Sequence, residues 1–99
     1  MDIQSLTNKI IAEGEEPDIA ANYAKALLNT PVSFISILER WIKGEQPEYE
    51  YNGISLSYIQ EKEKCSYYNA LLRMQIILES PFFAKGYKTW TPVNKDRRY

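Results

Sequence analysis

The feature that most constrains this chain is its punctuation: proline or glycine stands at nearly every place where a helical pattern of apolar residues starts or stops. Residues 2 to 13 set Ile3, Leu6, Ile10 and Ile11 at helical spacing, and Gly14 follows where a helix takes a left-handed cap. Pro17 suits a first helical turn and Asp18 complements the positive end of the helix dipole. With Ile19, Tyr23, Leu27 and Leu28 behind them, a second helix is predicted from about Pro17 to Asn29. Thr30-Pro31 repeats the start signal, a capping hydroxyl followed by proline. Phe34, Ile35, Leu38, Trp41 and Ile42 then give a third helix one strongly apolar face, and Gly44 ends it.

The pattern changes at EQPEYEYNG, residues 45 to 53, where Pro47 breaks the helical period and Asn52-Gly53 forms a turn pair. Tyr49 and Tyr51 alternate with acids there, as in a short exposed strand. From Ile54 to Ser80 the chain reads as helix again and stops at Pro81, because proline disfavours a helical residue before it. Phe82 to Thr91 holds two aromatic-rich runs around Lys85-Gly86, the pattern of a small hairpin, and residues 94 to 99 read as a basic tail.

With no histidine among its 99 residues the chain lacks the commonest general base and metal ligand, and the single Cys65 can form neither an internal disulfide nor a zinc site alone. Its 13 carboxylates fall in solvated-looking runs without a Gly-rich phosphate loop. The expectation is a non-enzymatic protein with no cofactor and no metal. The first residues have neither the basic start nor the apolar run of a signal peptide, and no stretch reaches the ~20 apolar residues that span a bilayer. A cytoplasmic setting, away from membranes, is therefore expected. Eight tyrosines, whose rings pack while their hydroxyls stay wet, favour a binding role. The net charge of −1 is uneven: Lys85, Lys88, Lys95, Arg97 and Arg98 against Asp96 give the last 15 residues +4, which leaves −5 on the rest.

Residues 54 to 78 can be read in two ways. EKEKCS contains no Gly or Pro to force a turn, which suits one continuous helix; yet residues 60 to 66 offer no apolar position before Cys65, which suits two helices with a sharp turn. In the second reading Ser55 or Ser57 caps the first helix, Ile59 is its buried aliphatic, Cys65 is the small turn residue and Ser66 caps the second helix. Ala70, Met74 and Ile77 then form a buried stripe. Ser66, Tyr67, Tyr68, Asn69 and Arg73 form an outward face able to meet bases and phosphates in the major groove.

Ile59-Gln60, then Cys65-Ser66-Tyr67, Ala70 and Met74 resemble the helix-turn-helix of the winged-helix domain that ends bacterial DNA translocases, over residues 59 to 78. That resemblance implies an earlier helix, a short strand and a hairpin wing, which Pro31 to Gly44, Glu48 to Tyr51 and Phe82 to Thr91 would supply in order; the first two helices would be an addition. The chain departs from the family at Glu63, where the first helix usually buries Leu, at Lys64, where Gly is usual in the turn, and at Arg73, a place normally apolar. The family's DNA-contacting cations are replaced by Glu61, Glu63 and Asn69.

The expected fold is mainly α: a small bundle of four to five helices with a helix-turn-helix and a short β-hairpin wing, one domain over residues 1 to 93 and a basic tail over 94 to 99. The expected function is a small DNA-binding accessory or regulatory protein, with double-stranded DNA as partner. Ser66, Tyr67, Tyr68, Asn69 and Arg73 would face the groove, and Lys85, Lys88, Lys95, Arg97 and Arg98 would meet phosphates. The alternative is a protein-binding adaptor or inhibitor using the acidic, tyrosine-rich surface of Glu48, Tyr49, Glu50 and Tyr51. A homodimer is compatible with the first reading, although no heptad seam is visible.

Overall fold

The punctuation is obeyed. In the computed structural model, which describes residues 1 to 80, α1 spans Ile3–Ala12, α2 Pro17–Leu28 and α3 Val32–Ile42. The Asp2 carboxylate caps α1 by accepting from the Gln4 amide, and Pro17 occupies the first turn of α2. Gly14 and Gly44 follow α1 and α3 at positive φ, with their amides donating to Ile11 and Trp41 carbonyls. One start signal acts differently from its prediction. The Thr30 hydroxyl donates to the Leu27 carbonyl at 2.6 Å and so closes α2, while extended Pro31 is itself the residue before α3.

Two-residue strands β1, Glu50–Tyr51, and β2, Ile54–Ser55, then pair antiparallel with Glu50 opposite Ser55 and Tyr51 opposite Ile54. Asn52 and Gly53, both at positive φ, make the tight turn whose twist suits such a hairpin. Ile54 and Ser55 thus belong to a strand, not to the following helix as their apolar pattern suggests. α4 spans Leu56–Glu63 and α5 spans Tyr67–Glu79. The described residues are mainly helical, a small bundle with a two-stranded hairpin. The second hairpin, expected at Phe82 to Thr91, and the basic tail lie outside the described residues.

All five helices and β2 contribute to one core, in which Leu6, Leu27, Phe34, Ile54, Ile59, Leu71 and Met74 are fully enclosed. α1 packs on α2, α2 also touches α5, and α4 packs on α5. The face α2 turns inward differs from the expected Ile19, Tyr23, Leu27 and Leu28. Ala20, Ala24 and Leu27 are buried, while Ile19 and Tyr23 stay 39% and 37% exposed. Alanine lets the α2 backbone approach its neighbours closely, and the larger side chains Leu6 and Ile10 of α1 fill the space between, so small residues win the inward positions. Among the described residues no helix is long and apolar enough to cross a membrane.

Candidate nucleic-acid interface

The segment from 55 to 80 is two helices. Lys64 takes the left-handed conformation, φ 54° and ψ 49°, and with it the chain leaves α4; the amides of Lys64 and Cys65 both donate to the Gln60 carbonyl. A left-handed residue ends the run of helical hydrogen bonds and re-aims the backbone, so no Gly or Pro is needed for the break. The Ser66 hydroxyl then accepts from the Asn69 amide at 3.2 Å, starting α5. At the other end of α4 the Ser55 hydroxyl accepts from the Tyr58 amide at 3.1 Å. Ile59, Ala70, Met74 and Ile77 are buried, as the two-helix pattern requires, and Cys65 is half-buried against the core.

The α4 N-terminus is held a second time by Glu48. One of its carboxylate oxygens accepts from the Tyr49 amide at 3.1 Å and from the Ser57 amide at 3.2 Å, and the other accepts from the Ser57 hydroxyl. Burial works against its charge, but the Ser57 hydroxyl and the amides of Tyr49, Ser57 and Leu56 outweigh it and hold the carboxyl below the usual carboxylate range. This clamp fixes the hairpin to α4. It also reassigns part of the alternative protein-binding surface. Tyr49 is half-buried, edge-on to Phe34 at 5.1 Å with its hydroxyl 3.0 Å from Ser33 Oγ, and Tyr51 packs partly against the core. Only Glu48 and Glu50 of that quartet are exposed.

The outward face expected of α5 needs a larger correction. Tyr67 and Tyr68, expected to face DNA, are buried at 5% and 4% exposure. Tyr67 donates its hydroxyl to the Pro47 carbonyl at 2.6 Å, and Tyr68 donates to Glu15 Oε2 at 2.9 Å. The Tyr68 ring stacks on Trp41, 5.7 Å between centroids and 4° from parallel, and Lys9 Nζ lies 5.3 Å from the Trp41 ring centroid on α1's side of the core. Burial, with Glu48 nearby, pushes the Tyr67 phenol up to about 12, against a smaller opposing effect of Arg40. Burial and the bond to Glu15 push Tyr68 up as well, and Tyr23 and Glu13 add to it. Both rings are therefore packing elements with satisfied hydroxyls, drawn inward because loops before α2 and before β1 offer each hydroxyl an acceptor.

What remains outward on α5 is narrow. Ser66 is exposed at the cap, Asn69 and Arg73 are half-exposed, and Ile76 is 42% exposed, so the surface stripe runs 66, 69, 73, 76 along one helix face. Asn69 spends an amide hydrogen on Ser66 Oγ at 3.1 Å. Arg73 Nε lies 3.4 Å from Glu63 Oε1, an ion pair across the turn that the sequence did not announce because its members are ten residues apart on different helices. The Cys65 thiol sits beside that pair; burial pushes its pKa up, Arg73 opposes this and Glu63 adds to it, so the thiol stays protonated at neutral pH. Among the described residues no three carboxylate or thiol side chains gather to hold a metal ion. Lys85, Lys88, Lys95, Arg97 and Arg98 lie outside the described residues.

Comparison with known proteins finds no family model, curated protein or solved structure that matches this chain.

Proposed function

We propose that this chain is a small DNA-binding accessory protein that meets the major groove with the outer stripe of α5. The observation that carries the reading is the left-handed Lys64 followed by the Ser66 cap, which sets α4 and α5 as separate helices of lengths suited to a helix-turn-helix. The order α3, hairpin, α4, α5 supports it further, since a winged helix uses the same sequence of helix, strand, helix, helix. In this reading Ser66, Asn69 and Arg73 face the groove, and Tyr67 and Tyr68 hold the helix to the body. Lys85, Lys88, Lys95, Arg97 and Arg98 supply most phosphate contacts in a cytoplasmic setting, because residues 1 to 80 carry −5 and repel the duplex.

Fluorescence anisotropy with a pool of labelled duplexes tests it. Binding at micromolar protein in 50 mM salt, weakening by one or more decades at 200 mM, is expected on the order of several phosphate contacts. Absence of binding at 50 mM salt removes the reading. A protein partner is the second reading, favoured by Ile76, an exposed apolar side chain at the C-terminal end of the stripe where a groove reader gains little from it.

A further inference from the structure

Resting on the DNA-binding reading, we propose that Glu63 is a built-in competitor for phosphate that restrains the affinity of α5. Arg73 is the sole cation in the sequence of α5, and its Nε is engaged by the carboxylate of Glu63 at 3.4 Å. Both side chains are half-buried in the angle between α4 and α5, 36% and 27% exposed, so the pair is screened less than one on an open surface. Where Arg73 reaches a backbone phosphate, it exchanges one anion for another. Giving up the Glu63 carboxylate offsets part of what the phosphate contact contributes, so the net gain in affinity from Arg73 is small. Asn69 is restrained in the same sense, through its amide hydrogen on Ser66 Oγ. The unmodified chain is thereby set toward weak, readily reversible association.

The test compares Glu63→Gln with Glu61→Gln in the full chain, using duplex anisotropy across a salt series. Both changes remove one negative charge from α4; Glu61 is exposed and makes no ion pair with Arg73. Glu63→Gln is expected to tighten binding roughly fivefold at 50 mM salt, a gain that shrinks as salt screens the pair; Glu61→Gln is expected to change affinity less than twofold. Arg73→Gln should erase the gain when combined with Glu63→Gln, because the carboxylate then has no Arg73 to compete for. Circular dichroism melts of each variant establish that all are folded. Equal gains from Glu61→Gln and Glu63→Gln, or no gain from Glu63→Gln while the wild type binds, overturn this inference and leave the DNA reading standing. If the wild type does not bind at 50 mM salt, the DNA reading falls and this inference with it.

Discussion

The turn at Lys64 makes a prediction whose sign, not only its size, depends on the break between α4 and α5. Lys64 is a non-glycine residue at φ 54°, and a Cβ in that region costs on the order of 1–2 kcal/mol. Glycine removes the clash but enlarges the unfolded ensemble, which takes back about 0.4–1 kcal/mol. Either substitution at this position also deletes a cation from the C-terminus of α4, worth some tenths of a kcal/mol. Comparing Lys64→Gly with Lys64→Ala cancels that loss. Lys64→Gly should therefore be the more stable of the two by about 0.5–1 kcal/mol, or roughly 2–8 °C in Tm for a domain of this size. In a continuous helix the order inverts, because glycine in a helix interior is less stable than alanine by about 1 kcal/mol. Thermal melts followed at 222 nm, repeated in urea to obtain free energies, decide between the two. A Lys64→Gly variant that melts below Lys64→Ala refutes the left-handed turn, and with it the helix-turn-helix geometry on which the functional reading stands.

Other consequences follow from the core and its hydroxyls. Phe34→Ala deletes a fully buried ring that also supports Tyr49, and should destabilise by about 3–5 kcal/mol, a large fraction of a domain's stability, as read in a urea or thermal titration. Tyr67 is neutral in the fold up to about pH 12, whereas an unfolded tyrosine ionises near 10. Its stabilising effect is thus complete below pH 10 and lost as pH rises from 10 toward 12, and absorbance near 295 nm should show Tyr67 and Tyr68 titrating only with alkaline unfolding. The Glu48 carboxyl is shifted the other way, so its clamp on α4 is intact at neutral pH and fades on acidification through and below the usual carboxylate range. Glu48→Gln should flatten the acid limb of the stability profile, and an unchanged limb would count against the clamp.

The parts of the fold legible in the sequence are those governed by near neighbours. Gly14, Pro17, Gly44 and the Asn52-Gly53 turn each act within a few residues of themselves, so α1 to α3 and the hairpin turn follow from reading along the chain. The inward face of α2 was not legible, because Ala20 and Ala24 are chosen by how closely α1 and α5 approach rather than by their own hydrophobicity. The fate of the α5 tyrosines was hidden for a similar reason. The acceptor for Tyr67 lies 20 residues away and that for Tyr68 lies 53 away, and nothing near either tyrosine signals that a loop will bring an oxygen to it. Ser66 and Ile59 were readable because a cap and a buried aliphatic are properties of one helix.

The two N-terminal helices, an addition to the winged-helix order, turn out to shape the face that α5 can offer. Glu15 sits in the connection between α1 and α2, and its carboxylate is what allows Tyr68 to bury a phenol without leaving the hydroxyl unpaired. Trp41 of α3 supplies the ring on which Tyr68 stacks, and Lys9 of α1 is held near that tryptophan from its own helix. Without the α1–α2 connection, Tyr68 would have no such acceptor and its ring would compete for the surface, widening the outward stripe of α5 by an aromatic side chain. With it, the stripe contracts to Ser66, Asn69, Arg73 and Ile76, spanning about 15 Å of helix at 1.5 Å per residue. Tyr68→Phe separates these roles. It keeps the stack and loses the bond, so it should lower stability by about 1 kcal/mol, measurable in urea, while leaving duplex affinity within twofold of wild type. A large loss of DNA binding by a stably folded Tyr68→Phe would show that the phenol itself meets the partner, and that α5 presents a different face in the complex.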